Sequence, residues 1–183
     1  MLTQLTIPQI REIYNKYMVV DFPPDELKPL AHIEGMVARG ICTCYALFED
    51  GKVLSYVNLC EKDGFILVDY LAVNPCLRGQ GIGSRTLALL KELCRGRTIL
   101  IECEAAGLAK TEDEAEIRRR RIEFYIRAGF KLSGVSSLLF GVNYVILSYP
   151  AADKTTAADG LATVYLEMLG KESFAKNLTV FKE

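Results

Sequence analysis

Histidine is almost missing from this chain of 183 residues, in which His32 stands alone. No CxxC pair occurs among its six cysteines, Cys42, Cys44, Cys60, Cys76, Cys94 and Cys103. A structural zinc centre needs clustered Cys and His ligands, so no metal is expected. A cysteine nucleophile is disfavoured as well, because no histidine is placed to activate one. Neither sign of charge is in excess. The formal net charge is −1 and the pI about 6.0, which gives no broad electrostatic reason to bind nucleic acid or an anionic membrane. The longest apolar stretches fall far short of the ~20 residues that a membrane span needs. No internal repeat or low-complexity linker is visible. Met1 to Ile10 lacks a basic start and contains Gln4, Pro8 and Gln9, so it does not read as a signal peptide. The expectation is a cytoplasmic protein whose thiols stay reduced, with the cysteines serving as small buried hydrophobes.

Hydrophobic residues make up 50% and charged residues 25%, enough for a packed core in one domain or one domain plus an appendage. The expected division is a domain over 1–150 and a tail over 151–183. Leu5, Ile7, Ile10, Ile13, Tyr14 and Tyr17 follow helical spacing. Pro23-Pro24 breaks the chain, and Asp25 to Arg39 reads as a second helix stopping at Gly40. Ile41 to Phe48, the turn Glu49-Asp50-Gly51, and Lys52 to Cys60 form a hairpin pattern. After Lys62-Asp63-Gly64, the nearly all-apolar run Phe65 to Val73 suits a strand buried on both faces. A helix follows from near Gly81 to Arg95-Gly96, with an apolar stripe of Leu87, Leu90, Leu93 and Cys94. Then come a strand over Thr98 to Glu104 and a helix from a Thr111/Glu114 capping box to Arg127, with Gly129 as its left-handed cap. Val135 to Phe140 and Tyr144 to Tyr149 form a closing hairpin. The tail after Pro150 holds one helix, about Leu161 to Leu169, with Val164, Tyr165 and Met168 placed to dock on the body or on a second subunit of a homodimer. The class is α/β: a mixed sheet with helices on its faces and a C-terminal helical tail.

The richest segment is Leu71-Ala72-Val73-Asn74-Pro75-Cys76-Leu77-Arg78-Gly79-Gln80-Gly81-Ile82-Gly83-Ser84. It joins the buried strand to a helix, and Gly79, Gly81 and Gly83 alternate with other residues where the helix begins. Glycine permits close approach of a ligand to the backbone and dihedrals that other residues avoid. The first amides of a helix lack internal partners and carry partial positive charge, which makes an anion site. A Walker loop needs GxxxxGK[ST] and no lysine stands in place. A dinucleotide fingerprint needs GxGxxG, and the spacing here fails it. A purely structural tight turn is the remaining plain reading.

Arg78-x-x-Gly81-x-Gly83 resembles the [QR]xxGx[GA] motif of the GNAT superfamily of N-acetyltransferases. Downstream, Phe124-Tyr125 with Gly129-Phe130 resembles that family's FYxxxGF segment. The resemblance covers Arg78 to Phe130 well and does not reach the tail. It implies a mostly antiparallel sheet of roughly six to seven strands. It implies acetyl-CoA as co-substrate, with its pyrophosphate on the amides of Gly79, Gln80, Gly81, Ile82, Gly83 and Ser84 and with Arg78 as a further cofactor-binding residue. It further implies that backbone groups of Leu71, Ala72 and Val73 hold pantetheine and orient the thioester carbonyl. It gives Tyr125 the role of stabilising or protonating the leaving thiolate, as a phenol with a pKa of about 10 can. A core tyrosine at helical spacing from Ile122 is the plain alternative.

On Thr98 to Glu104, alternation puts Glu102 and Glu104 on one strand face. Two carboxylates so placed repel, which should raise the pKa of one and suit it to take a proton from an ammonium substrate. Glu102 is the preferred base, Glu104 the second choice and an anchor for a cationic acceptor, and Asp69 the third. A solvent-facing strand end is the alternative. Arg118 to Arg121 reads as a solvated helix face, helped by Glu114 and Arg118 at i,i+4 spacing, with one arginine available to the 3′-phosphate of coenzyme A. The segment Ala105 to Glu116 is long and lacks the family's asparagine. The reading is transfer of acetyl to a primary amine by direct attack in a ternary complex. Its rival is a silent acyl-CoA-binding module whose tail fills the acceptor side.

Overall fold

The computed structural model describes residues 1–24 and 26–182. The strands are β1 (Leu2–Gln4), β2 (Cys42–Glu49), β3 (Lys52–Lys62), β4 (Phe65–Val73), β5 (Thr98–Glu104), β6 (Lys131–Leu139), β7 (Val142–Tyr149) and β8 (Leu178–Lys182). The α-helices are α1 (Ile7–Ile13), α2 (Val19–Asp21), α3 (Leu30–Ala38), α4 (Ile82–Leu93), α5 (Glu112–Arg127) and α6 (Lys154–Asn177). A π-helical turn, Tyr14–Met18, joins α1 to α2. The strands follow the hydrogen-bonded order β1-β2-β3-β4-β5-β7-β6-β8. β4 runs parallel to β5, while β1–β2, β2–β3, β5–β7, β6–β7 and β6–β8 are antiparallel.

The mixed, mostly antiparallel sheet is the one expected, but it has eight strands rather than six to seven. The additions are the two edges. β1 has 3 residues and β8 has 5, both mostly exposed, so neither carries the apolar alternation that marks a strand in sequence. Leu5 consequently lies outside the first helix. The second predicted helix starts at Asp25, outside the described residues, and α3 begins only at Leu30, after Pro29 in an extended conformation. The predicted tail helix, Leu161 to Leu169, lies within α6, which starts earlier at an Asp153 cap and breaks at Gly170.

The chain forms two compact units. The first is Met1–Cys60 with Asp69–Leu93, and the second is Glu61–Val68 with everything from Cys94 onward. In the first unit a core of Ile10, Ile13, Met18, Ile33, Cys44, Ala46, Tyr56 and Tyr70 packs α1, the π turn and α3 on one side of the strands. Ser55, on the opposite face of β3 from Tyr56, bonds Thr86 of α4 at 2.6 Å, with both side chains buried. The β2–β3 turn places Asp50 and Gly51 at positive φ, the mark of a tight two-residue hairpin. Beside this hairpin the sequence reading of the thiols is corrected. Cys42 and Cys60 lie directly opposite each other on β2 and β3 and form a disulfide. Cross-strand proximity, invisible in their separation of 18 residues, makes the pair.

In the second unit Ile99, Leu100, Ile101 and Cys103 of β5 are all at most 1% exposed, so both faces of this strand are covered. Tyr125 of α5 interacts with Cys103 on one face, and Tyr165 of α6 reaches Glu102 on the other. α6 lies very close to the strands at Gly160. A Cβ built there would stand 2.3 Å from Phe65 Cδ1 and 2.8 Å from Phe65 Cγ. Those ring atoms near the root of the side chain have little room to swing away. Gly160→Leu is therefore expected to lower unfolding free energy by about 1–3 kcal/mol, the range for overpacking a core. A urea melt that left the midpoint unchanged would show that α6 does not seat on Phe65.

Candidate active site

β4 ends by delivering Leu71, Ala72 and Val73 to a tightly bonded corner. Asn74 donates from its backbone to Leu54 O at 2.9 Å and from Nδ2 to Val53 O at 3.2 Å. Its Oδ1 accepts from Cys76 N at 3.1 Å, closing the 3₁₀ turn Pro75–Leu77. Arg78 then extends, and Gly79 and Gly81 follow at φ 78° and 77°. Nothing lies within 4 Å of a Cβ built on either one, so conformation rather than crowding calls for glycine. The bond from Arg85 N to Gly81 O at 3.0 Å opens α4. The amides of Ile82, Gly83 and Ser84 therefore precede the first helical hydrogen bond. Gly79, Gln80, Gly81 and Ser84 are exposed, and Ile82 and Gly83 partly so. Open space, a glycine-lined approach and outward amides at a helix start fit a phosphate or diphosphate.

Arg78 turns back from this loop. Its guanidinium donates to Asp21 Oδ1 at 3.1 Å and to Val73 O at 3.3 Å. The Asp21 side chain is only 3% exposed and also accepts from the Tyr56 hydroxyl at 2.9 Å. Burial, then the bond to Asp21, pushes the Tyr56 phenol well above its ordinary pKa. Among the described residues the parallel β4–β5 register runs from Phe65↔Thr98 to Val68↔Ile101.

The three candidate bases have different surroundings. Asp69 is ion-paired with Lys28 at 2.6 Å. Burial, the largest single influence, would lower the Lys28 pKa, but Asp69 and Tyr70 together outweigh it and the net shift is upward. Glu104 meets Arg118 Nη2 at 2.6 Å and Arg121 Nη1 at 3.6 Å, and Arg118 also donates to Ala105 O at 3.1 Å. Arg118 is thus drawn to β5 rather than to Glu114, and the predicted i,i+4 pair gives way to a tertiary one. Glu114 instead accepts from Lys110 N at 2.9 Å, while its own amide donates to the Thr111 cap at 3.2 Å. Arg119 and Arg120 do make the solvated face expected of the run, pairing with Glu112 and Glu116. Glu102 accepts from hydroxyls: Ser137 Oγ reaches Oε1 at 3.1 Å, and Tyr165 donates to Oε2.

Tyr125 is buried in an aromatic group, with ring centroids 5.1 Å from Phe124 and 6.0 Å from Phe130. Burial raises its phenol above the usual value, so it stays protonated throughout the physiological range. Burial pushes Cys44 and Cys103 to about 12 and Cys94 to about 11, so none of these thiols supplies a thiolate near neutrality. His32 is exposed on α3. Among the described residues no group of three or more His, Cys, Asp or Glu is gathered to hold a metal, and no helix is long and apolar enough to cross a membrane.

Sequence reasoning missed Asp21, Ser137 and Tyr165 as members of these clusters. Asp21 looked like part of a Pro-rich break, and Tyr165 like a docking residue at helical spacing from Leu161. Their partners lie 57 and 63 residues away, beyond the reach of any local pattern.

Three comparisons bear on this arrangement. The profile of the acetyltransferase (GNAT) family matches residues 7–130. YjbC of Bacillus subtilis (strain 168), which is named as an acetyltransferase, is 35% identical over 112 residues, 60% of this chain and 52% of that protein. The chain thus spans about half the length of this curated relative. In fold, a GNAT-family protein of Bacteroides thetaiotaomicron superposes with a TM-score of 0.72 at 22% identity, covering 92% of this chain and 97% of that one. An aminoglycoside 6′-N-acetyltransferase complexed with coenzyme A superposes with a TM-score of 0.56 at 16% identity, covering 84% of this chain and 99% of that one.

Proposed function

Because this chain belongs to the acetyltransferase (GNAT) family, we propose that it transfers an acetyl group from acetyl-CoA to a primary amine by direct attack in a ternary complex. The observation that carries the reading is the loop at Gly79 to Ser84. Two left-handed glycines and the opening amides of α4 suit the coenzyme A diphosphate, and among the described residues nothing fills the space above them. Leu71 and Val73, just before this loop on β4, would offer main-chain groups to pantetheine and the thioester carbonyl.

Glu102 is the base in this proposal. Glu104 and Asp69 already hold guanidinium and ammonium partners at 2.6 Å, which occupy the carboxylates that an incoming ammonium would have to meet. Glu102 takes a proton from the ammonium, the neutral nitrogen attacks the thioester carbon, and the C–S bond breaks. Tyr125 donates a hydrogen bond to the departing sulfur. Full proton transfer is uphill from a phenol raised above its normal range to a thiolate whose acid has a pKa of about 8.5, so solvent supplies that proton. The Glu102 carboxylate favours a cationic acceptor. A cytoplasmic setting belongs to the same proposal, and there the Cys42–Cys60 bridge would stand reduced.

One observation favours the silent acyl-CoA-binding reading. Tyr165, from the tail, already sits on Glu102. Coenzyme A release from acetyl-CoA across a panel of monoamines, polyamines and peptide N-termini separates the two. Turnover on at least one amine is expected. Tight acetyl-CoA binding without turnover on any of them would hand the case to the silent module.

A further inference from the structure

We propose that Tyr165 and Ser137 are positioning residues that fix the Glu102 carboxylate for proton transfer, so that α6 and β6 set the geometry of a base carried by β5. The inference rests on the reading of Glu102 as base. The two hydroxyls come from different elements and take one oxygen each, Ser137 on Oε1 and Tyr165 on Oε2. Held from both sides, the carboxylate cannot turn about its terminal torsion. A carboxylate oxygen has two lone-pair sites, so each oxygen keeps acceptor capacity beyond the hydroxyl it holds.

The supports are rigid. Ser137 is 1% exposed and Tyr165 is 4% exposed. On α6, Leu161, Val164 and Met168 are buried around Tyr165, and Gly160 lets the helix close on Phe65. A ring locked this way cannot swing its hydroxyl off Glu102 without moving the helix. Both residues lie beyond residues 7–130, the part of the chain that the family profile matches. The base thus sits in the shared segment, and its orientation is set by residues outside it.

A small error in placing a reacting group can cost as much as about a hundredfold in rate. Tyr165→Phe keeps the ring and removes only the donor. It is expected to lower kcat about ten- to a hundredfold, with the KM for acetyl-CoA within about twofold of the parent. A helix that merely contributed stability would instead shift the melting temperature and leave kcat alone. The decisive comparison is a double-mutant cycle. In a Glu102→Gln background, Tyr165→Phe should cost nothing further, because there is no carboxylate left to orient. Wild-type kcat in Tyr165→Phe, or an undiminished loss in the Glu102→Gln background, overturns the proposal. Should Tyr165→Phe fail to fold, Ser137→Ala must show the same loss and the same disappearance, and its failure to do so overturns the proposal equally. Full activity in Glu102→Gln alone would sink the assignment of the base, and this inference with it.

Discussion

Glu102→Gln is expected to reduce kcat/KM for the amine by about 10²–10⁴, the usual contribution of a positioned acid or base, while acetyl-CoA binds as before. The substitution keeps shape and volume. Its amide can still meet the hydroxyls of Ser137 and Tyr165, since a hydroxyl both donates and accepts. What is lost is the capacity to take a proton. Glu104→Gln offers the internal control. Its partners are Arg118 and Arg121, so its removal leaves two half-buried guanidinium groups short of an anion and should act on the seating of α5. Thermal melting and single-turnover kinetics on the two variants separate chemistry from packing. Equal activity losses with equal melting shifts would show that neither glutamate is the base.

The strands around Glu102 could be read directly from the chain. β4 and β5 have the predicted bounds, Phe65–Val73 and Thr98–Glu104, because both are largely apolar runs, with Asp69 inside the first and Glu102 and Glu104 towards the end of the second. Thr111, Gly129 and the Asp50–Gly51 turn were legible for the same reason, since caps and hairpins depend on a few adjacent residues. The glycine loop is local too. Other features depend on distant chain meeting distant chain. β8 is a strand because β6 offers an edge from Val135 to Leu139, and nothing in Leu178–Lys182 alone announces it. Glu104 was read with Glu102 as a repelling pair, but the arginines that meet it come from a run read as solvated. Alternation along β5 could place both carboxylates on one face. It could not say that one would meet guanidinium groups and the other a tyrosine from α6.

The loop itself yields the second large effect. Replacing both Gly79 and Gly81 by valine places β-branched residues at φ 78° and 77°. An L residue in that region costs about 1–2 kcal/mol, so the pair imposes about 2–4 kcal/mol. That strain can destabilise the native state with the loop held, or be relieved by letting the loop change shape. The surroundings decide between these. Among the described residues no atom beyond the adjoining residues lies within 4 Å of a Cβ built at either position, and both glycines are exposed, so no packing holds the loop against the strain. It should relax, leaving the melting temperature nearly unchanged and the amides from Gly79 to Ser84 misdirected. Coenzyme A affinity by titration calorimetry should then fall by about 30- to 1,000-fold, the strain expressed at about 1.4 kcal/mol per tenfold. Unaltered coenzyme A affinity in a folded double variant would mean that the diphosphate is bound elsewhere, and the acetyl transfer proposed for this chain would lose its donor site.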